Sequence, residues 1–209
     1  MNLHSKRAPN RRDEARDLFR RATLDAAEEV FASKGFHAAR IQDVAARARI
    51  GVGTVYNHFE SKEALLAALL EERAAELTRC LAPEGAEPAG FAARLEGRVA
   101  RLLGYVQAHR GYYRLIMAYG PLGGAAAASE LMVSTRRRLT RFRDIFRALI
   151  DEGVASGALD PELAPELPGF LWGTIRSVIS RIAFDENAEL VGKAPLIVRL
   201  FMTGARRGA

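Results

Sequence analysis

Apolar residues recur at three- and four-residue steps along most of the chain, the spacing that lines one face of a helix. Leu18, Leu24, Ala27, Val30 and Phe31 form the first such stripe. Asp13 and Glu14 open it, where acidic groups suit a helix N-terminus, and Gly35 closes it. Two short runs follow. Ile41, Val44, Ala45 and Ala48 share one face, and Ile50, Val55 and Phe59 mark the apolar side of a second helix, leaving Thr54, Tyr56, Asn57 and His58 to point elsewhere. Helices this short, joined by about three residues, cannot each bury a face alone. Packed crosswise against the long helix before them, they predict a helix-turn-helix.

The rest of the chain keeps the helical period. Ser61 caps a long helix over 64–81 that carries Leu65, Leu66, Leu69, Leu70 and Leu77. Further helices are predicted over 91–108, through HRGYYRLIMAYG, over 131–152, over 169–184, and at the end around Leu196, Ile197, Leu200 and Phe201. Proline and glycine break the pattern at APEGAEPAG, PLGGAAAAS and LDPELAPELP, and Gly153 and Gly157 loosen the end of the 131–152 helix. The expected fold is all-α, with a basic arm at 1–12, a trihelical head at 13–72 and a helical body at 73–209. The arm mixes His4, Lys6, Arg7, Arg11 and Arg12 with Pro9, and reads equally as a phosphate-reaching arm or a solvated tail.

Composition narrows the partners. With 49% apolar and 27% charged residues, the 209-residue chain is of ordinary globular make-up. Its formal charge of +6 favours an acidic partner, and more than half of that excess precedes Glu63, where the short helices lie. The lone cysteine, Cys80, forms no internal disulfide and suits a reducing compartment; it reads as a helix residue rather than a redox switch. No apolar run approaches the roughly 20 residues needed to span a bilayer, and the charged N-terminus lacks the apolar core of a signal peptide. A cytoplasmic protein without membrane attachment is expected. His4, His37, His58 and His109 lack metal-ligand spacing and there is no Gly-rich phosphate loop, so no metal, cofactor or enzymatic activity is expected.

From about Arg12 to Leu70, the GF pair at 35–36, the IQDVA run at 41–45, GVGTVYNHF at 51–59 and SKEALL at 61–66 resemble the DNA-binding domain of the TetR family of transcriptional repressors. The resemblance implies a bacterial regulator, associated with the nucleoid when bound to double-stranded DNA. By position in the matching motif, Gln42, Val52, Gly53 and Asn57 would lie near base edges, while Thr54, Tyr56, His58 and Lys62 would hold phosphates. Three positions depart from the family pattern. Arg40 stands where Thr or Ser commonly caps the first motif helix, losing a cap worth roughly 1 kcal/mol but adding a cation beside the backbone. Arg49 replaces the usual turn glycine, and Gly51 replaces the usual capping serine. The 64–81 helix would join head to body and transmit movement between them.

The body offers two candidate surfaces. Tyr105, Tyr112, Tyr113 and Met117, with Phe146, Trp172 and Arg176, could line a small-molecule pocket; the alternative is a core with tyrosines at its rim. Arg176 needs an acceptor, in a ligand or across a dimer. Gly169, Gly173, Ser177 and Ser180 make a strip of small residues beside the ridge Leu171, Ile175, Val178 and Ile182. With Leu196 and Leu200, that strip could form an isologous homodimer seam, or an internal helix pair. The expected function is a ligand-responsive repressor, released from a near-palindromic operator by a small-molecule effector. A DNA-binding co-regulator without an effector, and a helical carrier or enzyme, are the alternatives.

Overall fold

The computed structural model describes residues 11–83, 88–119, 144–183, 185 and 187–205. All regular structure among them is helical. The chain divides into two compact units, Met1–Leu70 and Glu71–Ala209.

The first unit holds α1 (Arg11–Lys34), α2 (Ile41–Ala48), α3 (Val52–Tyr56) and the start of α4 (Lys62–Leu81). Its core is built from the apolar positions at helical spacing: Leu24, Ala27, Val30 and Phe31 of α1, Ile41, Val44 and Ala45 of α2, Val55 of α3, Phe59, and Leu65, Leu66 and Leu69 of α4, all buried. Phe36 packs edge-on to Phe31 with ring centroids 5.4 Å apart, beneath the turn that Gly35 makes at φ 76°. One member of the expected stripe departs: Leu18 is 67% exposed, as its neighbour Phe19 is 43%. Burial on α1 begins only at Thr23 and Leu24. The helical period assigns Leu18 a face but not a neighbour to cover it.

The second unit continues α4 and adds α5 (Phe91–Ala108), α6 (Arg110–Tyr119), a helix α7 described over 144–155, α8 (Leu167–Ile179) and α9 (Ala194–Ala205). Short 3₁₀ turns at Ser180–Ala183 and Val191–Lys193 lead from α8 to α9. α8 starts at Leu167, the ninth residue of the LDPELAPELP stretch, with Pro168 in the first turn, where its missing N–H costs nothing. α5 packs on α9 and α8 through Leu95, Val99, Leu102, Leu103 and Val106, all fully buried. Polar ties hold the connections: Arg110 donates to the Ala188 carbonyl at 2.6 Å, and the Gln107 side-chain oxygen accepts from Leu190 N–H at 2.8 Å.

The two glycines at the end of α7 serve different ends. Gly157, at φ 72°, terminates the helix as expected of a C-terminal glycine. Gly153 does not loosen it. It is buried, and a methyl group there would stand 2.7 Å from both Leu159 Cδ1 and Phe91 Cε2. Close approach of α7 to α5 requires its bare backbone. The expected helix over 131–152 falls largely outside the described residues, as do PLGGAAAAS and the arginines from 136 to 143.

Candidate DNA interface and body sites

α3 is five residues long and turns two different sides to its surroundings. Val55 is completely buried, with Phe59 just beyond it at 5% exposure, so the apolar side is anchored in the head core. Tyr56, Asn57, Gly51 and Gly53 are exposed, and Val52, Thr54 and His58 are half-buried. A Cβ on Gly53 would have nothing within 4 Å, so open space lies beside the backbone there. Arg40 and Gln42, at the start of α2, are also exposed. Hydroxyl, amide, phenol and imidazole groups thus collect on one side of a short rod, with a gap in the side-chain cover where another molecule's atoms can approach the backbone.

The missing side-chain cap on α2 is offset from inside the helix. The Asp43 carboxylate accepts the Arg40 backbone N–H at 3.0 Å and pairs with Lys34 at 2.8 Å. The hydrogen bond from Lys34, and after it that from Arg40, holds the Asp43 carboxyl below its ordinary value of 3.8. The sign follows from linkage: a lowered carboxyl contributes above the unfolded pKa, and the contribution fades as pH falls through the lowered value. Arg47 pairs with Glu29 of α1, which ties α2 to α1 and gives that arginine a task within the head.

Arg49 ends α2 in the left-handed region, at φ 57° and ψ 40°, alone among the described non-glycine residues in having positive φ. The turn keeps the geometry for which glycine is suited, and the arginine bears the strain. Arg49→Gly should therefore raise the stability of the chain by about 1 kcal/mol. The urea midpoint measures it; a lowered midpoint would mean that the Arg49 side chain makes a stabilising contact.

Lys62 makes contacts within the head that its motif position does not announce. Its Nζ donates to the carbonyls of Phe36 at 2.8 Å, His37 at 3.1 Å and Ala39 at 2.9 Å. The ammonium is thus engaged within the head.

In the second unit, Tyr105, Tyr112 and Tyr113 come together at the α5–α6 junction. The last two are buried, with ring centroids 5.3 Å apart, and the Tyr105 ring lies 4.4 Å from that of His109. The Tyr105 hydroxyl lies 2.8 Å from the Arg73 carbonyl and 3.0 Å from Glu76 Oε2, so it is held at α4. Burial, and after it the Glu76 carboxylate, pushes the Tyr105 phenol far above its ordinary value, so it remains a donor. Burial does the same to Tyr113. Arg98 is buried on α5, and Arg101 one turn on has a buried Nε without a hydrogen-bond acceptor among the described residues. Sequence reading missed both; their i, i+3 and i+7 spacing with Tyr105 was the available signal. Cys80 is half-buried, its Sγ 3.9 Å from the Arg101 carbonyl. Phe146 is buried on α7 and Trp172 half-buried on α8, while the Met117 side chain lies outside the described residues.

Arg176 is exposed and does not line the groove described next. It sits on the outer side of α8 with Gly169, Gly173 and Ser177, also exposed, and Ser180, half-buried. The ridge Leu171 and Ile175 is buried inward against the body. On α9, Leu196 is 40% and Leu200 58% exposed, and on α8 Phe170, absent from the sequence candidates, is 69% exposed. Between the two helices runs a groove of about 400 Å³, walled by Leu163, Leu167, Phe170, Leu200 and Phe201. The Thr174 and Ser180 hydroxyls donate to the carbonyls of Phe170 and Ser177, so this polar minority is satisfied within the helix.

Among the described residues no group of His, Cys, Asp or Glu is placed to hold a metal ion, and no helix is long and apolar enough to cross a membrane.

Comparison with known proteins agrees with this geometry. Residues 24–69 match the model of the bacterial regulatory proteins of the tetR family. The transcriptional repressor DhaR of Mycobacterium sp. (strain GP1) is 30% identical over 182 residues, covering 84% of this chain and 87% of the relative. A fatty acid metabolism regulator protein of Bacillus subtilis is 25% identical over 186 residues, covering 87% and 92%. Among solved structures, the fatty acid degradation regulator FadR of Bacillus halodurans aligns with a TM-score of 0.79 at 21% identity, over 91% of this chain and 97% of that one. FadR of Bacillus subtilis, in complex with stearoyl-CoA, aligns with a TM-score of 0.75 at 22% identity, over 89% and 99%. A trihelical head with a polar-edged α3, an all-helical body and a relative this similar over most of both chains make the protein a DNA-binding transcriptional regulator that belongs to the tetR family of bacterial regulatory proteins.

Proposed function

We propose that the chain acts in the cytoplasm as a homodimeric repressor, which leaves a near-palindromic operator when a small molecule binds its body. The observation that carries this reading is the two-sidedness of α3: Val55 locked in the core, Tyr56 and Asn57 outside. Gln42, Val52, Gly53 and Asn57 approach base edges, and Arg40, Thr54, Tyr56 and His58 contact phosphates. Val52 and Thr54 are half-buried, so they reach the groove by their tips.

Two such rods on one side of a dimer enter successive major grooves about 34–36 Å apart, hence the near-palindrome. The pairing surface is the α8–α9 face. Phe170 stands out beside a groove that it also walls, so in a twofold arrangement each copy's ring enters the other's groove. Gly169, Gly173, Ser177 and Ser180 let the paired helices come close, and Leu196 and Leu200 extend the apolar area.

The effector site is assigned to the α4–α5–α6 region around Tyr105, Tyr112 and Tyr113, with Phe146 and Trp172 as further lining. An anionic group suits it, because Arg101 brings a buried Nε to that face. Binding there favours a dimer whose heads are spaced wrongly for DNA, a shift between two populated arrangements. Relatives named as repressor and as metabolic regulator support this reading over a carrier or an enzyme.

Fluorescence anisotropy with duplex from the gene's own upstream region tests it. Affinity there should exceed that for random duplex by about 10³-fold or more, and should fall steeply between 50 and 200 mM salt. Equal affinity for both duplexes would overturn the proposal.

A further inference from the structure

We propose that the first turns of α1, from Glu14 to Ala22, form a self-recognition surface, which docks antiparallel on the same segment of a second copy of the chain. This stretch is helical but stands clear of the head core, to which α1 contributes only from Thr23 onward. It nonetheless carries two large apolar side chains in the open, Leu18 at 67% and Phe19 at 43% exposure.

The residues around Leu18 name the partner. Glu14 and Ala15 lie one helical turn before it, Arg21 and Ala22 one turn after it. At about 100° per residue, Glu14 and Arg21 fall on one flank of Leu18, and Ala15 and Ala22 on the other, with Phe19 beyond them. Consider two copies related by a twofold axis that crosses the helices between positions 17 and 18. Like flank then meets like flank in reverse order. Glu14 of each copy comes beside Arg21 of the other, the two Leu18 side chains meet near the axis, and the alanines leave room for close approach and for the Phe19 rings.

The charges are arranged for a partner rather than for the chain itself. Within one helix Glu14 and Arg21 are seven residues apart, about 10.5 Å along the axis, too far to pair. Neither has an ion-pair partner among the described residues. Duplex DNA is a poorer occupant of this face: Glu14 and Asp17, both exposed, would repel its phosphates, and Leu18 and Phe19 would find no apolar counterpart. A second overhang satisfies all of these groups at once.

Such a contact is too small to hold two free copies together against the cost of association. It counts where copies are already near each other, by the α8–α9 seam or side by side on one duplex, because the second contact is then intramolecular. That consequence rests on the homodimeric, DNA-binding function proposed above; the contact itself does not.

The test is disulfide trapping in the full chain, with glutathione disulfide as oxidant and no DNA present. Helices packed about 8–10 Å apart hold facing Cα atoms about 4–6 Å apart, within disulfide reach, so Leu18→Cys near the axis should link to its own copy. Wild type, with Cys80 alone, gives the background. Arg16→Cys, exposed on the opposite side of the helix, gives the rate of chance collision. The 18–18 disulfide, located by peptide mass spectrometry, should form about tenfold faster or more than the 16–16 disulfide. Glu14→Arg or Arg21→Glu added to Leu18→Cys should each slow it about fivefold, since like charges then meet at both ends, and the two reversals together should restore it. Equal rates at positions 16 and 18 would overturn the proposal, and so would a double reversal as slow as the single ones. No DNA enters the measurement, so its outcome is separate from that of the DNA-binding reading.

Discussion

Replacing Phe170 by aspartate is expected to turn the protein into a monomer and to cost at least a hundredfold in operator affinity. A single exposed aromatic is unremarkable on a protein surface, but this one is 69% exposed with Leu163 and Leu200 lining the same groove, and the hydroxyls of Thr174 and Ser180 are already satisfied. Burying a phenylalanine is worth about 2–3 kcal/mol, and twofold symmetry doubles it. Losing some 5 kcal/mol, with two carboxylates set against an apolar groove, raises the dimer dissociation constant by more than about 10³-fold. A monomer engages one half-site where the dimer engages two, and forfeits the 10²–10⁴ gained by linking them. Sedimentation velocity and anisotropy read the two effects. A variant that stays dimeric with full affinity would place the seam elsewhere and remove the pairing proposed for α8 and α9.

A second substitution separates the head from the body. Val55 is the α3 side chain that is buried, and it is buried completely. Val55→Asp puts a carboxylate in an apolar core without a partner, which costs about 3–5 kcal/mol. A unit of some 70 residues has little stability to spare. The head should therefore unfold and DNA binding disappear, while the second unit keeps its helices and its pairing. Calorimetry would show the low-temperature part of the transition lost, and circular dichroism a partial loss of helix. Wild-type DNA binding by this variant would mean that α3 does not depend on its anchor.

The head was the more legible half because its grammar is local. Ile41, Val44, Val55 and Phe59 lie close in the chain, and a period of three to four residues assigns each to a face without knowledge of anything distant. The same reasoning misplaced Leu18, whose face is right but whose stretch of α1 lacks a cover among the described residues. It did not foresee the contacts of Lys62 within the head, since the carbonyls that accept from it lie more than twenty residues earlier and backbone atoms leave no trace in side-chain pattern. Arg40 looked uncapped for a similar reason, the compensating Asp43 being a matter of geometry.

In the body, the strip Gly169, Gly173 and Ser177 was readable, but Phe170 within it was not singled out. A large apolar residue in an amphipathic helix is assigned inward by default, and only the packed neighbours reveal that it is left outside. Arg176 was misjudged in the opposite sense, placed inward by the apolar residues around it in sequence while the helix turns it out. Gly153 read as a weak point because glycine lowers helix propensity; its packing against Phe91 and Leu159 turns that absence of a side chain into a fit.

By itself the sequence determined the all-helical class, the helix-turn-helix with its polar edge, and the family, because each rests on residue types at short spacing. Tertiary structure alone decided which groups are satisfied and which are left over: the three carbonyls that take up Lys62, the exposure of Phe170 and Arg176, and the burial of Arg98. Those outcomes depend on which distant segment arrives as a neighbour, and a hydrogen bond or a buried face exists only once that neighbour is in place.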